Sequence, residues 1–358
     1  MTDRPRVLIV AGAFKESFGA PEVAGICREA LAAAGASTIV ILASDGGDGL
    51  LDALGAHVIR TTTHEVQGPL GNPVRPAVGW LNDRTAVIES RMVCGLRLVP
   101  PARRDPERTS TEGLGELLAF VADAGAHRAY VGLGGSATMD GGLGMARAWG
   151  WTPRDNAGGV LGPGGGALRH LSALEPGTPP RLEVTGLVDV RNRLSGPDGA
   201  RVYASQKGAS AKAADRLDQG LERLVQILGE RGLEWAAREG AGAAGGLGFG
   251  VLAFAGGRLE PGAPWLLDRA GFDRFLGRVD GVITGEGGFD ATSLAGKLTG
   301  EVIRRAREAG KPVGLLAPTA TDVPDGVMVE RGGGMWDAAE LGRRAAMLAR
   351  RLIRLPPG

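Results

Sequence analysis

The chain has 358 residues, a formal net charge of +1 at pH 7 and a hydrophobic fraction of 43%. This length predicts two domains. The small net charge argues against a nucleic-acid groove, which needs a basic excess. No run of about 18 apolar residues suggests a membrane span.

The start of the chain passes directly into an apolar strand, without the apolar run and cleavage site of a signal peptide. The two cysteines, Cys27 and Cys94, form no CxxC motif and lie in apolar contexts. We therefore expect both cysteines to be reduced, buried thiols. We therefore expect a cytoplasmic protein.

The first elements form a βαβ unit. Val7–Ala11 has the continuous apolar pattern of a buried parallel strand. A helix opened by Pro21 and closed at Gly35 follows, and then a second strand from Thr38 to Leu42. Such units bind ligands beyond the carboxyl ends of their strands.

Two loops with chemistry-bearing residues follow these two strands. Lys15 and Ser17 come after the first strand, and Ser44-Asp45-Gly46-Gly47-Asp48-Gly49 follows the second. A glycine loop with two acids can hold a metal ion or a sugar-like pair of hydroxyls. The alternative is a polar turn in which Asp48 caps a helix.

The pattern changes after His57. Short strands at 58–60, 69–71, 74–81 and 85–88, separated by turns, predict an antiparallel arrangement. We place the start of a second domain near this change of period. Glu89 ends the last of these strands and is a plausible site carboxylate, with a solvent-facing strand end as the alternative.

A glycine-rich loop from Gly132 to Gly142 follows the strand Ala129–Val131 and precedes a helix carrying Met145 and Trp149. A strand, a glycine turn and a helix N-terminus together form an anion site. Asp140 within the loop would repel a bare phosphate, so the loop suggests a phosphate with a metal ion. The alternative is a tight turn whose Asp caps the helix.

Further along, a strand from Glu183 to Val190 contains Asp189, and residues 210–239 have the pattern of one long amphipathic helix. The spacing GxGxxG occurs at 240–245. A dinucleotide fingerprint must follow a strand, whereas this one follows helical sequence. Close helix packing, or a glycine wall beside a ligand, is favoured over an NAD site.

A third glycine loop, Gly285–Asp290, follows the strand Asp280–Thr284 and is followed by Gly296-Lys297 at the start of a helix. It is no Walker A motif, because Ala291 stands where that motif needs glycine. A strand at 313–317 and an Arg-rich helix at 336–352 end the chain. The apolar residues of that helix could meet a partner in a homodimer; they are Met347, Leu348 and Leu352.

Strand-then-helix units at both ends predict one doubly wound, mostly parallel domain built from residues 1–65 and 270–358. Residues 66–269 then form an inserted α/β domain with a mixed sheet.

Lysine is scarce, with five lysines among 41 basic residues. A retained lysine is a candidate for a point-charge role that the arginine fork fills badly, and Lys15, Lys207 and Lys297 all lie in predicted loops.

The chain resembles the glycerate kinases of the bacterial type I family. The matching stretches occur in collinear order over nearly the whole chain. They are Phe14-Lys-Glu-Ser17, Asp45-Gly-Gly-Asp-Gly49, Gly68-Pro-Leu-Gly71, Gly134-Gly-Ser-Ala-Thr138, Asp140-Gly-Gly142, Gln206-Lys-Gly-Ala209, Gly240–Gly248, Thr284-Gly-Glu-Gly287, Asp290 and Gly296-Lys297. The resemblance implies two α/β domains with a cleft, ATP and Mg²⁺, and phosphorylation of a hydroxyl of D-glycerate to phosphoglycerate.

Phosphoryl transfer needs positioned positive charge, a metal held by carboxylates and a base near the acceptor hydroxyl. The expected catalytic residues are Lys15, Asp45, Asp189 and Lys207. The expected substrate and phosphate ligands are Ser17, Gly46, Gly47, Arg91, Gly134, Gly135, Ser136, Thr138, Gly285, Glu286 and Lys297. The expected metal ligands are Asp140, Asp189 and Asp290. Asp189 and Asp45 both remain candidates for base or metal ligand, and Lys15, Arg91 or Lys207 for the partner of the glycerate carboxylate.

The chain also departs from the family pattern in several of these loops. Gly12 lies where the family has an acidic Pro-Asp-Ser segment, and Met139 replaces an asparagine. The other replacements are Arg193 for proline, Gly288 for arginine, Thr292 for glutamine and Ala295 for histidine. Two alternatives follow, a kinase of another small hydroxy acid and a non-catalytic ligand-binding member. A DNA-binding regulator is disfavoured because no helix-turn-helix module is left outside the two domains.

Overall fold

The computed structural model describes residues 4–14, 17–47 and 49–353. Within these ranges no helix is both long and apolar enough to cross a bilayer. The strands are β1 Arg6–Ala11, β2 Ser37–Leu42, β3 Arg60–Thr63, β4 Val66–Gln67, β5 Pro73–Val74, β6 Ala77–Asn82, β7 Thr85–Glu89, β8 Arg128–Leu133, β9 Thr152–Arg154, β10 Ala173–Glu175, β11 Glu183–Val188, β12 Arg258–Pro261, β13 Gly281–Gly285, β14 Gly288–Phe289, β15 Val313–Leu316, β16 Thr319–Ala320 and β17 Met328–Glu330.

The helices are α1 Ala20–Ala33, α2 Leu50–Leu54, α3 Arg91–Cys94, α4 Glu112–Asp123, α5 Leu143–Arg147, α6 Ala211–Ile227, α7 Gly229–Ala236, α8 Ala243–Ala253, α9 Gly262–Arg269, α10 Phe272–Leu276, α11 Ala291–Leu294, α12 Leu298–Glu308 and α13 Ala338–Ile353. The chain divides into two compact units. The first consists of Met1–Asp45, Asp52–Gly55 and Gly262–Gly358, and the second of Gly46–Leu51 and Ala56–Pro261.

The first unit is built on a parallel sheet in the order β17-β15-β13-β1-β2. Strand β1, which lies between β13 and β2, is buried on both faces, as the continuous apolar run requires. Helices α1 and α13 pack together over one face, in a core that includes Leu348 and Leu352. Because these two leucines are buried in their own unit, only Met347 of the three residues named for a dimer contact is exposed.

The second unit contains a mixed sheet in the order β12-β11-β8-β7-β6-β3. The four strands β12, β11, β8 and β7 run parallel, and β6 and β3 add antiparallel pairs. The prediction of a parallel sheet from both chain ends and a separate mixed sheet is therefore confirmed. Since β3 pairs with β6, the segment from Ala56 onward belongs to this second unit.

Two local predictions were wrong. The predicted strand at 69–71 is a turn, which joins β4 to β5 through hydrogen bonds from Gly68 N to Asn72 O and from Gly71 N to Gly68 O. The long helix predicted at 210–239 is two helices, α6 and α7, because Gly229 adopts a left-handed conformation with φ +65° between them. Glycine takes this conformation at little steric cost, so tertiary packing can redirect the chain there.

Candidate functional site

Three neighbouring parallel strands of the second unit end at the same edge of the mixed sheet. In the register, Glu89 at the end of β7 lies opposite Gly132, and Leu133 at the end of β8 lies opposite Val188. The glycine loop that follows β8 and Asp189 after β11 therefore leave the sheet side by side. This is the edge where open α/β sheets bind ligands.

Two glycine segments of the second unit approach each other closely at this edge. A β-carbon on Gly132 would lie 2.3 Å from the carbonyl oxygen of Gly46, and one on Gly134 would lie 3.1 Å from the Cα of Gly47. Larger residues would force these backbones apart. The Gly46-Gly47 segment thus lies directly on the loop after β8, and Asp45, which precedes it, is half-buried.

A buried lysine lies beneath that loop. Lys207 is 6% exposed, and its Nζ donates to both the carbonyl oxygen and the Oγ of Ser136, the latter over 2.6 Å. It sits at the end of a short turn closed by Gly208. Burial lowers the pKa of Lys207 to about 8, while the charges of Cys94 and Asp140 act to raise it.

Asp140 is 2% exposed and hydrogen-bonded at both carboxylate oxygens. Its Oδ2 accepts from the N–H and hydroxyl of Thr111 at 2.8 and 2.9 Å and from Gly144 N at 3.2 Å, and its Oδ1 accepts from Gly142 N at 3.1 Å. Burial raises its pKa, and these hydrogen bonds oppose the rise. Such contacts fix the glycine loop and the start of α4, which favours a positioning role for Asp140 over that of a metal ligand.

Glu89 is a second buried carboxylate, 3% exposed. Its Oε1 accepts from Leu51 N at 2.8 Å and its Oε2 from Arg91 Nε at 2.6 Å. Glu89 therefore ties the segment after Gly47 to the arginine that begins α3. Its place at the end of an apolar strand was the sequence signal for it, but nothing local indicated its contact with Leu51.

The glycine run at 240–248 packs against the site loop. Ala244, Gly245 and Gly246 all adopt left-handed conformations, and Gly245 O accepts from Gly141 N at 3.3 Å. A β-carbon on Gly245 would lie 1.9 Å from the carbonyl oxygen of Thr138. The GxGxxG glycines thus allow close packing against this loop, and the Thr138 side chain is itself fully buried.

The first unit holds a separate group of expected residues. Gly285 ends β13, opposite Ala11 of β1, and Glu286 N donates to Leu316 O. Lys297 Nζ donates to Thr292 Oγ1 at 2.9 Å, and that hydroxyl donates to Asp290 Oδ1 at 2.6 Å.

Asp290 also caps α11 by accepting from the backbone of Thr292 and Ser293, with the reciprocal contact that defines a capping box. The hydrogen bond from Thr292 holds the pKa of the Asp290 carboxyl below its usual value. Asp290 and Lys297 are therefore linked through one threonine hydroxyl, a connection that sequence spacing alone did not indicate.

Some expected residues remain apart from these clusters. Lys15 and Asp48 lie outside the described residues, and Ser17 is exposed. Asp140 and Asp189 belong to the second unit and Asp290 to the first. Across residues 4–14, 17–47 and 49–353, no group of three or more His, Cys, Asp or Glu side chains could hold a metal ion. The metal set stays a prediction.

Comparison with known proteins gives a family to this arrangement. Residues 7–340 match the sequence profile of the Glycerate kinase family. A glycerate kinase of Bacillus subtilis (strain 168) is 40% identical over 321 residues, which cover 86% of this chain and 83% of that protein. A glycerate 2-kinase of Escherichia coli (strain K12) is 35% identical over 88% of this chain and 86% of its own length. A crystal structure named for glycerate kinase 2 of Salmonella typhimurium LT2 is similar with a TM-score of 0.79 at 33% identity, and covers 98% of both chains.

Proposed function

This chain belongs to the glycerate kinase family and is thus a phosphotransferase with an alcohol acceptor, and we propose that it transfers the γ-phosphoryl group of ATP to a hydroxyl of D-glycerate, giving phosphoglycerate. The observation that carries the proposal is the match over residues 7–340, which includes the glycine loops and the buried Lys207. We propose that the phosphoryl donor is ATP rather than another nucleotide.

The second unit contains the backbone donors and the positive charge that phosphoryl transfer needs to bind an anionic group. The loop with Gly134 and Gly135 brings backbone N–H groups to the carboxyl edge of the sheet, and Lys207 places positive charge beneath it. Arg91, held by Glu89, is a candidate partner for the glycerate carboxylate. Gly46 and Gly47 complete the glycine surface in this proposal.

Magnesium belongs to the proposed chemistry because it neutralises charge on the transferring phosphoryl group. Mg²⁺ is usually held by one or two carboxylates together with substrate phosphates, so a cluster of three acids is not required. Asp189 and Asp45 are the carboxylates proposed to act as base or metal ligand, with Asp290 as a further candidate. Asp140 fits this role less well, because four hydrogen bonds already occupy its oxygens.

The second candidate function is a kinase of another small hydroxy acid. Some of the departures from the family pattern support this candidate more than others. Met139 is fully buried in the core of the second unit, so packing accounts for an apolar residue there. Gly12 and Gly288 bear more directly on a ligand site. A β-carbon on Gly12 would lie 3.0 Å from Leu298 Cδ2, and one on Gly288 would lie 3.0 Å from Thr319 Oγ1. A side chain at either position would need its neighbour to shift.

We place the enzyme in the cytoplasm as part of the same proposal. Cys27 and Cys94 are free and buried, and burial raises the pKa of each thiol to about 12. Thiols of this kind are inert and fit a reducing compartment. Association into a homodimer stays a prediction that sedimentation would test.

A coupled ADP-release assay with a panel of acceptors tests the proposed reaction. D-glycerate, L-glycerate, glycolate, lactate and glycerol are compared at fixed ATP, with and without excess EDTA. We expect turnover with D-glycerate that EDTA abolishes, and ³¹P NMR of the product identifies the phosphorylated hydroxyl. Higher kcat/KM with another acid would support the second candidate. No turnover with any acid, together with nucleotide or acid binding by calorimetry, would leave a ligand-binding protein and refute the kinase proposal.

A further inference from the structure

The contact between Lys207 and Ser136 fixes the direction of a hydroxyl group. An ammonium group only donates hydrogen bonds, so Ser136 Oγ must accept from Lys207 Nζ at 2.6 Å. A serine hydroxyl has one O–H to donate, and that O–H must then point away from the lysine. Within the described part of the chain, Ser136 Oγ has no hydrogen-bond partner besides Lys207.

The surroundings of Lys207 keep its ammonium away from the surface. The side chain is 6% exposed, and its Nζ also donates to the carbonyl oxygen of Ser136. The ionisable groups that act on it are Cys94 at the end of α3 and Asp140 in the glycine loop. Gly208, the next residue, packs against the backbone of Arg104, where a β-carbon would lie 2.4 Å from the carbonyl oxygen.

We propose that Lys207 is a positioning residue that acts through Ser136: it orients the Ser136 hydroxyl to donate to an anionic oxygen of the bound ligand. This inference rests on the proposed kinase function and deepens it. The ligand oxygen belongs either to a phosphate of the nucleotide or to the carboxylate of the acid. Ser136 is the residue that touches the ligand, and the lysine adds charge behind a neutral donor. Hydrogen bonds that involve a charged group in a dry site are stronger than neutral ones.

A double-mutant cycle tests the inference directly. The proteins are wild type, Ser136→Ala, Lys207→Met and the double variant, with Lys212→Met as the control because Lys212 is exposed on α6. If Lys207 acts only through Ser136, each single variant lowers kcat/KM by about 10- to 100-fold and the double variant is no worse than the poorer single variant. Multiplied losses in the double variant would mean that Lys207 contacts the ligand independently, and would overturn the proposal.

The kinetic constants separate the two possible sources of the anionic oxygen. A rise in KM for ATP in Ser136→Ala assigns the hydroxyl to a phosphate, and a rise in KM for the acid assigns it to the carboxylate. A loss in kcat alone assigns it to the phosphoryl group in the transition state. Unchanged kinetics in Ser136→Ala would refute any ligand contact of this hydroxyl.

The pH profile provides a readout that a purely structural role would not change. Burial lowers the pKa of Lys207 to about 8, and above that pH a neutral amine can accept the Ser136 proton and turn the O–H inward. We expect the wild-type rate to fall through about pH 8, and this fall to be missing in Ser136→Ala. The same fall in both proteins would contradict the proposed orientation.

The four proteins of the double-mutant cycle also distinguish a failure of this inference from a failure of the proposed kinase reaction. If wild type turns over no acid, the kinase proposal fails, and calorimetric binding of ADP and of D-glycerate replaces kinetics in the same cycle. Non-additive losses of affinity would still support the positioning role of Lys207, whereas additive losses would refute it. Thermal unfolding of each variant identifies any that fails to fold, and the cycle is then completed with Ser136→Cys or Lys207→Gln.

Discussion

Replacing Lys207 by methionine should change how the stability of the protein depends on pH. Burial lowers the pKa of Lys207 from 10.5 to about 8 in the folded protein. The unfolded chain therefore keeps this proton up to about pH 10.5, whereas the folded protein releases it above about pH 8. Between these values the unfolded state binds more protons, so the free energy of unfolding rises with pH. Below about pH 8 the lysine destabilises the folded state by a constant amount.

The size of the effect follows from the two pKa values. One pH unit inside the window corresponds to about 1.4 kcal/mol, and the whole window to about 3 kcal/mol. Between pH 7 and pH 9 the contribution of Lys207 to the free energy of unfolding should rise by about 1 kcal/mol. Cys27 and Cys94 act in the opposite direction, because their thiols ionise near pH 9.0 when unfolded and near 12 when folded. Both cysteines are present in Lys207→Met, so their effect cancels in the comparison.

Urea unfolding at pH 7, 8 and 9, followed by tryptophan fluorescence, measures this difference. The stability of wild type relative to Lys207→Met should increase by about 1 kcal/mol from pH 7 to pH 9, with unchanged m-values. At pH 7 the variant should be no less stable than wild type, because it no longer buries a charge. Lys212→Met should follow wild type at every pH. Parallel curves for wild type and Lys207→Met would refute a buried lysine that titrates near pH 8.

Three further substitutions test the packing and the first-unit cluster. Gly245→Ala places a β-carbon 1.9 Å from the carbonyl oxygen of Thr138 at φ +71°, and should cost about 3 kcal/mol or more in urea unfolding. Gly229→Ala, at φ +65° with open space around the β-carbon, should cost only about 1 kcal/mol, and equal losses would contradict the packing argument. Thr292→Val removes the acceptor of Lys297 and should raise KM for ATP about 3- to 10-fold, the value of one hydrogen bond, with an unchanged Tm. An unchanged KM for ATP would show that Lys297 does not contribute to phosphate binding.

Much of the fold was predictable because the relevant signals are local. The apolar run Val7–Ala11 fits a strand buried on both faces, and the turn at Asn82-Asp83 fits the antiparallel pair β6 and β7. The break at Gly229 was not predictable, because the apolar spacing continues through it and a single glycine costs a helix only about 1 kcal/mol. At Gly68 to Gly71 the turn residues Pro69 and Gly71 decide the local structure, and the apolar Leu70 between them does not make the segment a strand.

The site was predictable only as a set of separate loops. Glycine spacing and scarce lysines pointed to Lys207 and to the loop after β8, but the contact between Lys207 and Ser136 spans 71 residues. The hydrogen bond between Thr111 and Asp140 spans 29 residues and counts against the expected role of Asp140 as a metal ligand. Partners at such separations are set by how strands line up in the sheet, which local sequence patterns do not encode.

The order of strands in the first unit has a consequence for how the protein is made. Strand β1 pairs with β13, and Arg6 N donates to Asp280 Oδ2 across 274 residues. A ribosome adding about 5–20 residues per second needs roughly 15–55 s to bridge that gap. Segment Ala56–Pro261, the main part of the second unit, emerges entirely within this interval.

Until β13 arrives, β1 and β2 are a parallel pair without a central partner, and such a pair is at most marginally stable in water. The nascent chain thus presents unpaired, apolar strand edges while the second unit is already able to fold. Holdase chaperones that bind apolar extended segments should therefore engage the first 45 residues rather than the middle of the chain. The parallel sheet can be completed only after the chain as far as β17, which ends at Glu330, has left the ribosome.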